Sequence, residues 1–125
     1  MEFELDRTQI NGFDILLDTT LRPEETLEMI VPDACPDIQR IVETDGKVLL
    51  RTKEAMEGRV EVAGSFQLSV IYVPDGESGL RHLDAVIPFT CAAEDGAITS
   101  GCITAVQARL CRADARAINP RKILI

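Results

Sequence analysis

From residue 47 onward the apolar positions recur every second residue rather than every three to four. In GRVEVAGSFQLSVIYV, one side takes Val60, Val62, Gly64, Phe66, Leu68, Val70 and Tyr72. The other takes Glu61, Ala63, Ser65, Gln67 and Ser69 before turning apolar at Ile71 and Val73. Alternation of this length predicts a long strand with one face in the core. Gly64 inside it predicts a bulge, a bend or the close approach of another backbone. PDGESG at 74–79 reads as a turn, and in the following LRHLDAVIPFTC the residues Leu83, Ala85, Ile87, Phe89 and Cys91 alternate again. Pro88 has no amide hydrogen to give to a ladder, so this strand is expected at a sheet edge or broken at that residue.

After a loop at AAEDGA (92–97), CITAVQARL sets Cys102, Val106, Ala108 and Leu110 against Gln107 and Arg109. The closing INPRKILI reads as a tight turn at Asn119-Pro120, then Arg121, then the opening of a strand at Ile123-Leu124-Ile125. A strand opening there implies a longer, multi-module parent protein. Toward the N-terminus, FELDRTQI, FDILLDTTL and ETLEMIVP read as short strands. One segment, residues 37–44, reads as a helix. Pro36 suits a first helical position, Asp37 favours a helix N-terminus, and Ile38, Ile41 and Val42 share one helical face. Gly46, after Asp45, then ends it with a residue that accepts positive φ. The expected fold is mainly β, an antiparallel β-sandwich or partly open barrel with one short α-helix near 37–44. It forms a single domain over 1–125, with N-terminal strands in 1–30, a turn and helix in 31–46, and the main sheet in 47–125.

Composition is consistent with that. A chain of 125 residues, 46% hydrophobic and 27% charged, is long and apolar enough to bury one core. Its apolar runs fall short of the roughly 18 residues of a membrane span, and MEFELDRTQ is too acidic for a signal peptide, so a cytoplasmic location without membrane insertion is expected. The formal charge of −8 is uneven. Acids dominate residues 1–45, whereas 109–125 hold Arg109, Arg112, Arg116, Arg121 and Lys122 against Asp114. A nucleic-acid binder needs a dominant basic surface, which this chain lacks. An acidic head and a basic tail suit head-to-tail contact between copies, although scattered solvated charge explains them as simply.

Candidate chemistry is sparse. Cys35, Cys91, Cys102 and Cys111 form no CxxC pair, and His82 is the one histidine, so zinc-ligand spacing is missing. The stretch IVPDACPDIQRIV places Cys35 between Asp33 and Asp37. A nucleophilic thiol needs a lowered pKa from a histidine, a cation or a helix N-terminus. Flanking carboxylates oppose this, so the segment reads instead as a chain-turning device in which Pro32 and Pro36 extend the residues before them and an aspartate caps the helix. An aromatic content of 4% without tryptophan gives little platform for a sugar ring, and no glycine-rich phosphate loop joins a strand to a helix. No catalytic, metal or cofactor site is read, and an enzyme is not expected.

VPDACPDIQRIVETDGKV, EGRVEVAGSFQLSVIYVPD, DAVIPF and AINPRKI together resemble the SPOCS domain, a module of spore-forming Firmicutes long described as a domain of unknown function. The resemblance covers roughly residues 25–125, with the N-terminal strands completing the module. It makes Pro36, Asp37, Ile38, Gly46, Gly64, Pro88, Asn119, Pro120 and Arg121 structural motif positions. It implies a setting in spore-coat morphogenesis, where similar modules occur in series, often before a C-terminal LysM domain. Such proteins act on the mother-cell side of the forespore surface and bind the coat's basement-layer ATPase. In that family the LysM part is the better-supported partner-binding element, and the SPOCS modules have no assigned catalytic residues. This chain shows one module and no LysM segment. The expected function is a non-enzymatic structural or protein-interaction module of spore coat assembly. Its partners would be other coat morphogenesis proteins or further copies of the module, joined as a homo-oligomer through edge strands. The alternative is a cell-wall glycan or small-ligand binding module, and a third is a redox cross-linker working through Cys35.

Overall fold

The computed structural model describes the backbone of Thr8–Gln9 and Gly12–Phe13, and residues 16–125. Eight strands run in the order β1 (Thr8–Gln9), β2 (Gly12–Phe13), β3 (Glu28–Ile30), β4 (Ile38–Met56), β5 (Arg59–Pro74), β6 (Arg81–Glu94), β7 (Arg116–Asn119) and β8 (Lys122–Leu124). Among the described residues there is no helix. β1 and β2 form a short antiparallel pair, Thr8 facing Phe13. Two antiparallel three-stranded sheets carry the rest, β4-β5-β6 and β3-β8-β7. The mainly β expectation therefore holds.

The alternation in the sequence maps onto burial with two exceptions, Ser65, which is buried, and Cys91, which is half-buried. In β5, Val60, Val62, Phe66, Leu68, Val70 and Tyr72 are buried, while the intervening Glu61, Ala63, Gln67 and Ser69 are half-covered. β6 answers with Leu83, Ala85, Ile87, Phe89 and Ala93 buried. Each large apolar side chain removed from water in this way contributes about 1.5–3 kcal/mol, which is what fixes the register. Pro88 lies exposed in β6, an edge strand that runs unbroken through it. An edge position leaves the missing amide hydrogen without consequence. Residues 102–110 carry no assigned strand, yet their exposure still alternates, with Cys102, Val106, Ala108 and Leu110 half-buried and Gln107 and Arg109 exposed. FELDRTQI and FDILLDTTL fall partly outside the described residues, at 3–7, 10 and 14–15. Within them Thr8–Gln9 and Phe13 are strand, whereas 16–27 hold none, and ETLEMIVP contributes β3.

The helix expected over 37–44 is absent, because Ile38 opens β4. The Ile38, Ile41 and Val42 spacing fills barely one helical turn, and β-branched side chains favour the pleated surface. Hydrogen bonds to distant segments decide the matter: the Ile38 amide donates to the Pro120 carbonyl at 2.9 Å, and the Asp75 amide to the Asp37 carbonyl at 2.8 Å. In a strand Ile41 points to the opposite side from Ile38 and Val42, so the three residues do not share a face. Asp37 caps no helix, and Gly46 ends none. Among the described residues positive φ occurs at Gly58, Gly76 and Gly79, all in turns, and Gly46 lies inside β4.

The described chain divides into two compact units. One draws on the residues up to Glu24, on Val48–Ser65 and on Pro88–Arg109; the other on Glu25–Lys47, Phe66–Ile87 and Leu110–Ile125. In the first, a Cβ at Gly64 would collide with the Leu49 carbonyl oxygen and lie 2.9 Å from Phe89 Cζ. Of the three roles open to Gly64, close backbone approach is the one realised. In the second, Gly46 does the same under β5, where a Cβ would meet Leu68 and, at 2.6 Å, the Gln67 carbonyl oxygen. Overpacking of this kind costs about 1–3 kcal/mol. Gly64→Ala is therefore expected to lower the unfolding free energy in urea by that amount and to shift the midpoint down, while Gly96→Ala, with open space around it, stays near wild type. Equal midpoints for the two variants would show that the Leu49 backbone yields freely.

Candidate functional site

The segment Val31–Ile38 contains two prolines, so it offers carbonyls without a matching set of amide donors. A β-turn takes up one of them, the Cys35 amide donating to the Pro32 carbonyl at 2.8 Å. That carbonyl, those of Val31 and Cys35 and the Asp37 carboxylate converge on a single side chain, Arg121, which reaches back 86 positions to Cys35. Its Nη1 donates to the Cys35 carbonyl at 2.7 Å and to Asp37 Oδ1 at 3.0 Å. Its Nη2 donates to the carbonyls of Val31 and Pro32, both at 2.9 Å. A planar guanidinium with five donors can span four acceptors at fixed angles, which a lysine ammonium cannot match.

The hairpin that carries Arg121 is shaped for this. β7 and β8 pair antiparallel with a register shift between Ala117 and Asn119. The Asn119 side chain turns the chain, its Oδ1 accepting the Arg121 amide at 2.8 Å. Pro120 follows, its carbonyl taking the Ile38 amide. The Arg121 carbonyl accepts the Val31 amide at 2.8 Å, so backbone and side chain of one residue grip the same segment. β8 then continues antiparallel to β3, Met29 opposite Ile123, with Ile123 fully buried. From the other side the Tyr72 hydroxyl donates to the Pro36 carbonyl at 3.1 Å.

Six of the nine motif positions thus meet in one place: Pro36, Asp37, Ile38, Asn119, Pro120 and Arg121. Gly46 belongs to the same unit at a different point on β4, and Gly64 and Pro88 belong to the other unit. Tyr72 was not singled out, although a signal existed. It is the one tyrosine of the chain and stands on an apolar face, where a hydroxyl must find an acceptor. Burial, and after it the charge Cys35 carries when ionised, raises the Tyr72 phenol above its ordinary pKa.

The chemistry of this arrangement is that of a clasp. Arg121 spends its donors on protein acceptors, and Cys35, half-buried, contributes its carbonyl. His82 is engaged elsewhere, its Nδ1 3.3 Å from Asp84 Oδ1 on the exposed side of β6. Burial raises the Cys91 thiol, which keeps it protonated at neutral pH. Among the described residues no group of three or more His, Cys, Asp or Glu side chains is placed to hold a metal ion, and no helix is long and apolar enough to cross a membrane. The acidic head and basic tail also meet within this unit, through Asp37 with Arg121 and Glu28 with Lys122 at 3.1 Å.

A family model described as SipL, SPOCS domain, matches residues 37–118. The match opens at Asp37, on the clasped segment, and takes in β4, β5 and β6 entirely. No curated protein and no solved structure matches the chain.

Arg121→Ala removes a charged donor from three carbonyls and one carboxylate, and is expected to cost about 2–3 kcal/mol in a denaturant melt, with Arg121→Lys recovering only part. Asp37→Ala should cost at most about 1 kcal/mol, because that pair is half exposed, with side chains 35% and 49% accessible. The sole tyrosine makes a spectroscopic titration specific. An unfolded tyrosine ionises near pH ~10, and Tyr72 should ionise above that. A group raised on folding stabilises below its unfolded pKa and loses that contribution as pH climbs through the folded one. Stability is thus expected to fall in strong alkali, with Tyr72→Phe blunting the fall; tyrosinate absorbance rising at the unfolded pKa would contradict it.

Proposed function

The chain belongs to the SipL SPOCS-domain family, and from that premise we propose that it is a non-enzymatic structural and protein-interaction module of spore coat assembly. It works on the mother-cell side of the forespore surface. The observation that supports this reading is the convergence of Pro36, Asp37, Ile38, Asn119, Pro120 and Arg121 on a clasp. A loop in which one arginine holds the carbonyls of Val31, Pro32 and Cys35 keeps a fixed shape, and a fixed shape lowers the ordering cost of binding. Its outward residues Pro32, Asp33 and Ala34 are exposed and form the surface offered to a partner. The edge strands β4 and β6 add a second means of contact, since an edge can pair with another chain. Partners on this reading are coat morphogenesis proteins or further copies of the module.

Capture of coat-assembly proteins on the immobilised chain, together with sedimentation over a concentration series, tests the proposal. Retention that Asp33→Lys weakens, in a variant that melts like wild type, is the expected result. A strict monomer that retains none of those proteins, or that instead binds purified cell-wall glycan, would overturn it.

A further inference from the structure

The chain contains three Asp-Gly steps, Asp45-Gly46, Asp75-Gly76 and Asp95-Gly96. At such a step the glycine amide nitrogen can attack the preceding side-chain carboxyl, because no Cβ obstructs the five-membered ring. The rate then depends on how often the two groups meet, which is a question of geometry. The three steps differ in that respect. The Gly46 amide donates directly to Asp45 Oδ1 at 2.8 Å, so the carboxyl lies against the nitrogen that must attack it. Asp95 Oδ1 is instead held one residue further on, by the Ala97 amide at 2.9 Å. Gly76 follows Asp75 with φ of +77° in an exposed turn, and the Asp75 carboxyl is not held against its amide.

We propose that Asp45-Gly46 is a site of spontaneous isoaspartate formation, selected over the other two Asp-Gly steps by the fold itself. The protonated Asp45 carboxyl loses its hydroxyl as Gly46 N bonds to Cγ. The departing hydroxyl and the amide proton leave as one water, giving a cyclic imide. A solvent water then adds at the former main-chain carbonyl of Asp45, breaking that carbon's bond to nitrogen. The chain thereafter runs through the side chain, and the old carbonyl becomes a free carboxylate. The product carries one extra methylene in the backbone of β4. That extra length falls beside Gly46, where the Gln67 carbonyl and Leu68 leave no space for even a Cβ. Isomerisation therefore breaks the ladder at this point and marks aged copies of the chain.

The test is prolonged incubation of the full chain, folded and in denaturant, followed by peptide mapping with isoaspartyl methyltransferase labelling and heavy-oxygen water. In denaturant the three steps react according to local sequence alone, so the folded-to-unfolded rate ratio at each step isolates the effect of the fold. The expected ratio at Asp45 is several-fold above those at Asp75 and Asp95, with Asp45→Glu abolishing label at that position. A ratio at Asp45 equal to or below either of the others overturns the proposal.

Discussion

The guanidinium of Arg121 is the interaction on which the Val31–Ile38 segment depends. A stretch with prolines at 32 and 36 cannot enter a ladder as an ordinary strand does, and its carbonyls would otherwise face partial burial without donors. An unsatisfied group of that kind costs on the order of 1–3 kcal/mol, so several at once would undo the loop. Arg121 resolves this with one side chain, because its nitrogens reach Val31, Pro32, Cys35 and Asp37 together. The same residue's carbonyl receives the Val31 amide, and its predecessor's carbonyl receives Ile38. The end of β3, the start of β4 and the β7–β8 hairpin therefore share one fastening. A change there propagates to all of them.

The long strands obey a second constraint, that of space between backbones. β4 and β5 run for 19 and 16 residues, well beyond the usual five or six. Side chains along β5 alternate regularly until Gly64, Ser65 and Phe66, which are buried in succession. Gly64 admits the Leu49 carbonyl in one unit, and Gly46 admits Gln67 and Leu68 in the other. Each of these strands gives up a side chain where the other's backbone closes in. At Gly46 that same lack of a Cβ also leaves the Asp45-Gly46 step chemically exposed.

What could be read from the sequence follows from the range of the forces involved. β5 and β6 were legible because a half-buried strand writes its environment into every second residue, and Val60 through Tyr72 and Leu83 through Phe89 follow the alternation except at Ser65, which is buried out of turn. Pro88 was legible for the same local reason. The false helix at 37–44 arose where local and distant preferences conflict. Pro36-Asp37 is a good helix start on its own, and only the bonds to Pro120 and Asp75 make Ile38 the first residue of a strand. No window of a dozen residues contains that information. The clasp was legible in its parts, since Asn119-Pro120 announces a turn and the PDACPD segment announces a break in the ladder. Their meeting was not, because it depends on a separation of more than eighty positions. Residues 16–27 hold no strand although their exposure alternates from Leu17 to Glu24, and their apolar residues do not alternate in the sequence, so the reading of FDILLDTTL rested on composition alone.

The clasp also reframes the thiol at its centre. Cys35 sits where a reactive cysteine might be sought, between carboxylates and near arginines, yet the element that organises the loop is its carbonyl. A Cys35 side chain could change while Arg121 still found the same acceptor, whereas no substitution at 121 preserves the fork. The shape of the loop thus rests on Arg121, Asn119 and the two prolines, while Asp33 and Ala34 between the prolines are exposed. A surface built in this way separates its support from its specificity. On the proposed reading, that division would let one frame present different contacts without being refolded.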